Sequence, residues 1–198
     1  MPHIEAHINE GAIQFLTRWL PSSAFDAIER AVGILVIDME RYIKERTYPD
    51  SGLHRRTGKL FRSIRAQRVK REGRSVIGRV LAGQRLAYAR IQEFGGTITP
   101  VSAQYLTIPI GDALTNAGVA RFDAHGAEDA GYKTFVANHI IFGKKPGQKK
   151  AVPLFLLREQ VEIPERRYMR NAMDAFQERI VRDIAQAVRV EVRKIHRS

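Results

Sequence analysis

The chain has 198 residues, 44% hydrophobic and 27% charged, long enough for one domain with a real core. Its net charge of +12 implies attraction to polyanions, whether nucleic acid, an acidic membrane surface or an acidic protein. It has no cysteine, which excludes a disulfide framework, a thiolate nucleophile and a cysteine-based zinc site.

Residues 1–7 carry an early acid and no basic-then-apolar signal pattern. The longest apolar run, near Val32 to Ile37, is interrupted by Gly33 and falls far short of the roughly twenty residues that span a bilayer. The expectation is a soluble chain made and kept in the cytoplasm, with no membrane partner. Within residues 8–20, Ile8, Ala12, Ile13, Leu16 and Leu20 stand at helical spacing, and Pro21 stops the segment. Ser23 and Asp26 then make a capping-box-like start for a second helix. Its buried stripe is Phe25, Ile28, Val32, Leu35, Met39 and Tyr42, and it runs to about Arg46. Residues 47–58 carry the turn signals of a loop. Two strand-like runs follow at 61–70 and 75–81, with Gly73 suited to the hairpin turn between them.

Residues 87–94 read as a short helical turn ending at Gly95-Gly96, where positive φ is available. Residues 105–110 read as a strand, which Pro109 places at an edge or a strand end. Residues 111–135 are poor in periodicity and read as a long loop, the core of a loop-rich insertion at 111–150. Strands are expected at 138–143 and 152–161, flanking the basic turn 144–150. After Pro164 a final helix within 166–197 carries Met169, Met173, Phe176, Ile180, Ile184, Val188, Val192 and Ile195 on one stripe. With no internal repeat and no linker, the expected fold is a single α+β domain over 1–198, an antiparallel β-sheet packed against long N- and C-terminal amphipathic helices.

Chemistry is scarce. Gly52 to Lys59 has five residues between its glycines and Leu60 after the lysine, where a phosphate loop needs four and a Ser or Thr. His3 and His7 are four apart with no acidic third ligand, and His54, His125, His139 and His196 are scattered. No serine or histidine sits in a nucleophile-elbow context. Glu93, in an apolar stretch, reads as a helix-end or interface carboxylate paired with an arginine in preference to a general base. The expectation is no catalytic, metal-binding or cofactor-binding residue.

The basic residues are concentrated. Arg55, Arg56, Lys59, Arg62, Arg65, Arg68, Lys70, Arg71 and Arg74 face only Glu72, a net +8 of the chain's +12. A strand alternating such charges binds phosphates, and equally it is a solvated face that meets acidic neighbours in an assembly. No aromatic residues alternate with these charges as a single-strand stacking platform needs, so any DNA contact would be sequence-independent.

Four segments in order carry a family resemblance. They are residues 56–63 (Arg-Thr-Gly-Lys-Leu-Phe-Arg-Ser), 88–96 (Tyr-Ala-Arg-Ile-Gln-Glu-Phe-Gly-Gly), 106–109 (Leu-Thr-Ile-Pro), and 152–164 with Arg167, Tyr168 and Met169 before the last helix. Together they resemble the virion-morphogenesis or tail-completion proteins of tailed phages, the neck proteins of the head–tail junction, over most of residues 24–195. Tyr168 and Met169 stand where that family tends to have Pro-Phe, and residues 1–20 are not covered.

The resemblance implies a non-enzymatic adaptor, assembled in the host cytoplasm and located in the virion neck. It would form a homo-oligomeric ring, sixfold or twelvefold, between a portal-side adaptor and the tail terminator or tail tube. Tyr88, Arg90, Glu93, Phe94, Arg166, Arg167, Lys144 and Lys145 would then be assembly contacts. Arg55, Arg56, Lys59, Arg62, Arg65, Arg68, Lys70 and Arg71 would face DNA in the lumen. The rival reading is a basic, sequence-independent DNA-binding protein.

Overall fold

The computed structural model describes residues 22–195. The expected helix at 8–20, the His3/His7 pair and His196 lie outside the described residues. The described chain mixes helix with antiparallel sheet and ends in a long helix. It divides into two compact units, where the sequence suggested a single domain. One is made of residues up to Phe94 together with those from Glu165 onward; the other is the continuous segment Gly95–Pro164.

In the first unit α1 (Ser22–Tyr42) continues through a π-turn (Ile43–Thr47) into the short helix α2 (Tyr48–Asp50). The expected stripe is the inward face: Phe25 and Leu35 are buried, while Ile34 and Ile37, on the opposite side of the helix, are more than half exposed. The helical path therefore ends at Asp50, four residues beyond Arg46. The loop expected from residue 47 starts later, because Thr47 and Tyr48 are themselves core residues.

The strand expected over 61–70 is not formed. Residues Lys59–Ser63 are a helix, α3, followed by β1 (Arg65–Ala66) and β2 (Lys70–Glu72). Leu60 and Ile64 are the buried pair behind this. A four-residue step puts two side chains on one face of a helix and on one face of a strand alike, so the spacing could not decide between them. The second run splits at Gly78 into β3 (Ser75–Ile77) and β4 (Val80–Leu81). β3 pairs with β2 across the Gly73 turn, and β4 pairs with β1. A Cβ at Gly78 would stand 2.6 Å from Val32 and 2.7 Å from Val36, so the chain passes α1 where only glycine fits.

Helix α4 (Ala87–Phe94) ends at Gly95 and Gly96, both at positive φ as anticipated. The final helix is α6 (Arg170–Ile195), starting four residues after the position suggested by sequence. It packs antiparallel on α1. Tyr42 and Phe176 meet with ring centroids 5.4 Å apart, Asp38 pairs with Arg179, and Glu191 lies 3.8 Å from Arg30. The core gathers Val36, Ile43, Tyr48, Leu60, Ile64, Val80, Ala89, Tyr168, Met169 and Ala172. The sheet elements beside the long helices are thus two short ladders.

The four-stranded sheet belongs to the second unit. Its order is β6-β9-β8-β7, all antiparallel, from β6 (Leu106–Pro109), β7 (Lys133–Ala137), β8 (Ile140–Lys144) and β9 (Val152–Arg158). Pro109 sits on the edge strand β6, where a missing N–H is tolerated. Strand β7 falls at the end of the stretch expected to be loop. Its turn to β8 is Asn138-His139, both at positive φ, so the hairpin is closed without the glycine that usually announces one. The insertion also holds a 3₁₀ turn (Gly111–Ala113) and the short helix α5 (Gly126–Asp129). Leu154, Phe155, Tyr132, Ala113 and Ala127 form its core, with Phe122 against both Tyr132 and Phe155. The first and last strands of this unit, β5 (Gly96–Ile98) and β10 (Val161–Ile163), pair with each other.

Candidate functional site

The two most distinctive sequence signatures meet at one side chain. Glu93, in the last turn of α4, is 3% exposed. Its carboxylate accepts the backbone N–H groups of Met169 at 2.9 Å and Arg170 at 3.0 Å. These are among the donors at a helix start that find no partner within the helix, and a negative charge there also complements the helix dipole. The Arg170 guanidinium completes the joint. Its Nε donates to Glu93 at 3.1 Å, and Nη2 donates to the Glu93 carbonyl and to the Glu165 carboxylate, each at 2.9 Å. It lies over the Phe94 ring, 4.8 Å from the centroid. The Arg166 and Arg167 N–H groups donate to the Gln92 and Glu93 carbonyls at 3.0 and 3.1 Å. Arg167 takes φ +51° as the chain turns into α6. That turn and the Glu93 cap set the late start of the helix.

Glu93 is therefore a helix-end carboxylate paired with an arginine. It is buried and both of its carboxylate oxygens accept hydrogen bonds inside the fold, so its side chain is not on the surface where assembly contacts were expected. Beside it Tyr168 is 1% exposed, edge-on to Tyr48 at 5.9 Å, and its carbonyl accepts the Thr47 hydroxyl at 2.6 Å. Burial, reinforced by the Glu93 charge, pushes the Tyr168 phenol far above its ordinary range. The remaining residues of this group divide. Tyr88, Arg90, Phe94 and Arg167 are exposed, with Arg167 reaching Asp174 at 3.3 Å. Arg166 is half-buried and donates to the Ser51 carbonyl at 3.1 Å. Lys144 and Lys145 are exposed and belong to the second unit.

All eight basic residues singled out between Arg55 and Arg71 are exposed, but they do not share one strand. Arg55 lies 3.6 Å from the Phe61 ring centroid, and Arg62 donates to the Thr57 carbonyl at 3.0 Å. Arg71 pairs with Asp26 at 2.7 Å and lies over Phe25. These three are engaged in the fold. Arg56, Lys59, Arg65, Arg68 and Lys70 are distributed over a loop, α3, β1, a link and β2. Arg65 also bears on Glu40. Burial there works to raise the carboxyl's pKa, but the Ala66 N–H at 2.6 Å, Lys44 and the Arg65 charge prevail and hold it below the usual glutamate range.

A cavity of about 160 Å³ lies between α1, α6 and the β3–β4 segment, lined by residues such as Val32, Met39, Val80, Met173 and Ile184. None of its lining side chains is titratable, so it offers no acid, base or nucleophile. Among the described residues no group of three His, Cys, Asp or Glu side chains could hold a metal ion, and no helix is long and apolar enough to cross a membrane.

Sequence reasoning named Glu93 but missed Arg170, Thr47 and Glu165. No local signal marks them, because the capped amides lie 76 and 77 positions away from the carboxylate.

Fold and site together define an α+β chain with antiparallel sheets, a C-terminal helix and a buried carboxylate paired with a half-buried arginine. Comparison with protein-family models, with curated proteins and with solved structures finds no match.

Proposed function

We propose that this chain is a non-enzymatic structural protein of a tailed-phage neck, a ring-forming adaptor that joins head to tail and surrounds the DNA channel. The carrying observation is the four-segment resemblance in its order along the chain. The Glu93 joint gives two of those segments one physical purpose: Tyr88–Gly96 supplies the carboxylate that caps the helix introduced by Arg167-Tyr-Met169, and the Gln92 and Glu93 carbonyls that hold the turn into it. The conspicuous residues are spent on rigidity, as an adaptor requires. Exposed Tyr88, Arg90, Phe94 and Arg167 offer a mixed aromatic and charged surface suited to head-to-tail contacts in a closed ring. The partners in this reading are further copies of the chain, a portal-side adaptor and the tail terminator or tail tube.

The test is genetic. A phage lacking this chain is expected to accumulate DNA-filled heads and separate tails that cannot join, visible by negative-stain microscopy of the lysate. Normal yields of joined, infectious particles would overturn the reading.

The second reading, a sequence-independent DNA-binding protein, is favoured by the exposed Arg56, Lys59, Arg65, Arg68 and Lys70. It requires the isolated chain to bind DNA with a steep salt dependence.

A further inference from the structure

The turn between β8 and β9 holds Lys144, Lys145, Lys149 and Lys150 within seven residues, with no acidic or aromatic residue among them. Its geometry is fixed. The Gln148 N–H donates to the Lys145 carbonyl at 3.1 Å, and the Lys145 N–H donates to the Gln148 side-chain oxygen at 3.1 Å. Pro146 and Gly147 are the central pair, and Gly147 takes φ +80°, the combination of a type II turn. The two lysine pairs therefore flank a preset bend.

All four lysines are exposed, and among the described residues none is within ion-pair distance of a carboxylate. Arg71, Arg167, Arg170 and Arg179 each have such a partner. Lys145 lies 4.5 Å from the Tyr132 ring centroid, a contact that directs its ammonium without neutralising it.

We propose that this turn is the element through which the chain contacts the phosphate backbone of double-stranded DNA. Protein–protein interfaces are centred on aromatic and arginine anchors and are poor in lysine. A segment with four lysines and no anchor suits phosphates instead, for which point charges suffice. No aromatic side chain in the turn can stack on unpaired bases, which favours duplex over single strands. Gln148, the one amide side chain in the turn, has its oxygen engaged within the turn and cannot offer the paired donor and acceptor that read adenine, and the lysines act here as point charges on phosphates, so the contact is independent of sequence. The inference rests on the neck reading only for the choice of DNA over RNA, and it moves the main DNA contact from residues 55–71 to residues 144–150.

The experiment measures binding of the full chain to a short random-sequence duplex by fluorescence anisotropy, over about 50 to 200 mM salt. Wild type is compared with Lys144→Gln/Lys145→Gln/Lys149→Gln/Lys150→Gln and with Arg56→Gln/Lys59→Gln/Arg65→Gln/Arg68→Gln. A triple variant sparing Lys145 guards against a folding defect from loss of the Tyr132 contact. Each neutralised phosphate contributes about 0.9 to the slope of log affinity against log salt, so the four-lysine variant should lose about 3 to 4 of that slope. The triple variant should lose about 2 to 3, and the arginine-set variant about 1 or less. A slope moved only by the arginine set overturns the proposal, as does the absence of wild-type binding at the lowest salt, which would leave an acidic protein surface as the partner. Because binding is measured on the isolated chain and head–tail joining in the phage, either result can fail without the other.

Discussion

Replacing Glu93 by alanine is expected to destabilise the helical unit by about 3 kcal/mol, the cost of stripping one partner from a buried ion pair, discounted because Arg170 keeps some water. The substitution leaves the Met169 and Arg170 N–H groups without their acceptor at the start of a 26-residue helix, and the Arg170 Nε without its carboxylate. The Arg170 side chain is 30% exposed and keeps Glu165, so the cost stays below that of a fully enclosed pair. Glu93→Gln keeps one acceptor oxygen and should lose about half as much, roughly 1.5 kcal/mol. The exposed Arg167–Asp174 pair is the contrast, and Asp174→Asn should cost less than about 0.5 kcal/mol. Urea unfolding gives the ranking. Hydrogen exchange at Met169 and Arg170 gives the local readout, with protection lost in Glu93→Ala before the rest of α6 changes.

Gly83→Ala is expected to cost about 2 to 4 kcal/mol, the sum of two separate penalties. Gly83 takes φ +71°, where a Cβ is strained, and that Cβ would stand 2.0 Å from the Cβ of Ala89. Ala89 is 2% exposed and sits in the Tyr88-Ala89-Arg90 run, so the small residue of that motif is required by the backbone passing over it. The chain cannot easily yield at this point. The Gly83 N–H donates to Ser63 Oγ at 2.8 Å, and its carbonyl accepts from Leu86 at 2.9 Å. Gly73 isolates the first penalty. It has φ +60° with nothing within 4 Å of an added Cβ, and Gly73→Ala should cost only about 1 kcal/mol. The double variant Gly83→Ala/Ala89→Gly should recover the difference, less the roughly 1 kcal/mol that glycine costs inside helix α4. Equal losses at Gly73 and Gly83 in urea unfolding would mean that the close approach to Ala89 carries no energy.

Much of the element order was legible because side-chain period reports burial. The stripe from Phe25 to Tyr42, the turn at Gly95-Gly96, the edge strand holding Pro109 and the stripe of the last helix all appear where the pattern put them. The failures have equally physical causes. Leu60 and Ile64 satisfy helix and strand spacing at once, and packing chose the helix. The β7–β8 turn uses Asn138 and His139 at positive φ, so the usual glycine signal for a hairpin was missing. The division into two units rests on which segments touch, and no linker composition announces it.

The candidate site was legible by residue type and illegible by partner. Glu93 stood out as a carboxylate in an apolar stretch, but nothing near it in sequence points to Arg170. The charge between Arg55 and Arg71 was countable from the sequence, while the commitment of Arg71 to Asp26 and Arg55 to Phe61 was not.

Cryo-electron microscopy of the head–tail junction in purified virions tests the neck assignment most directly. The account predicts a closed ring at the neck whose subunit density fits the α1–α6 pair, the Glu93 joint and the four-stranded sheet. Absence of such a ring from virions, together with absence of the chain from assembly intermediates, would contradict it.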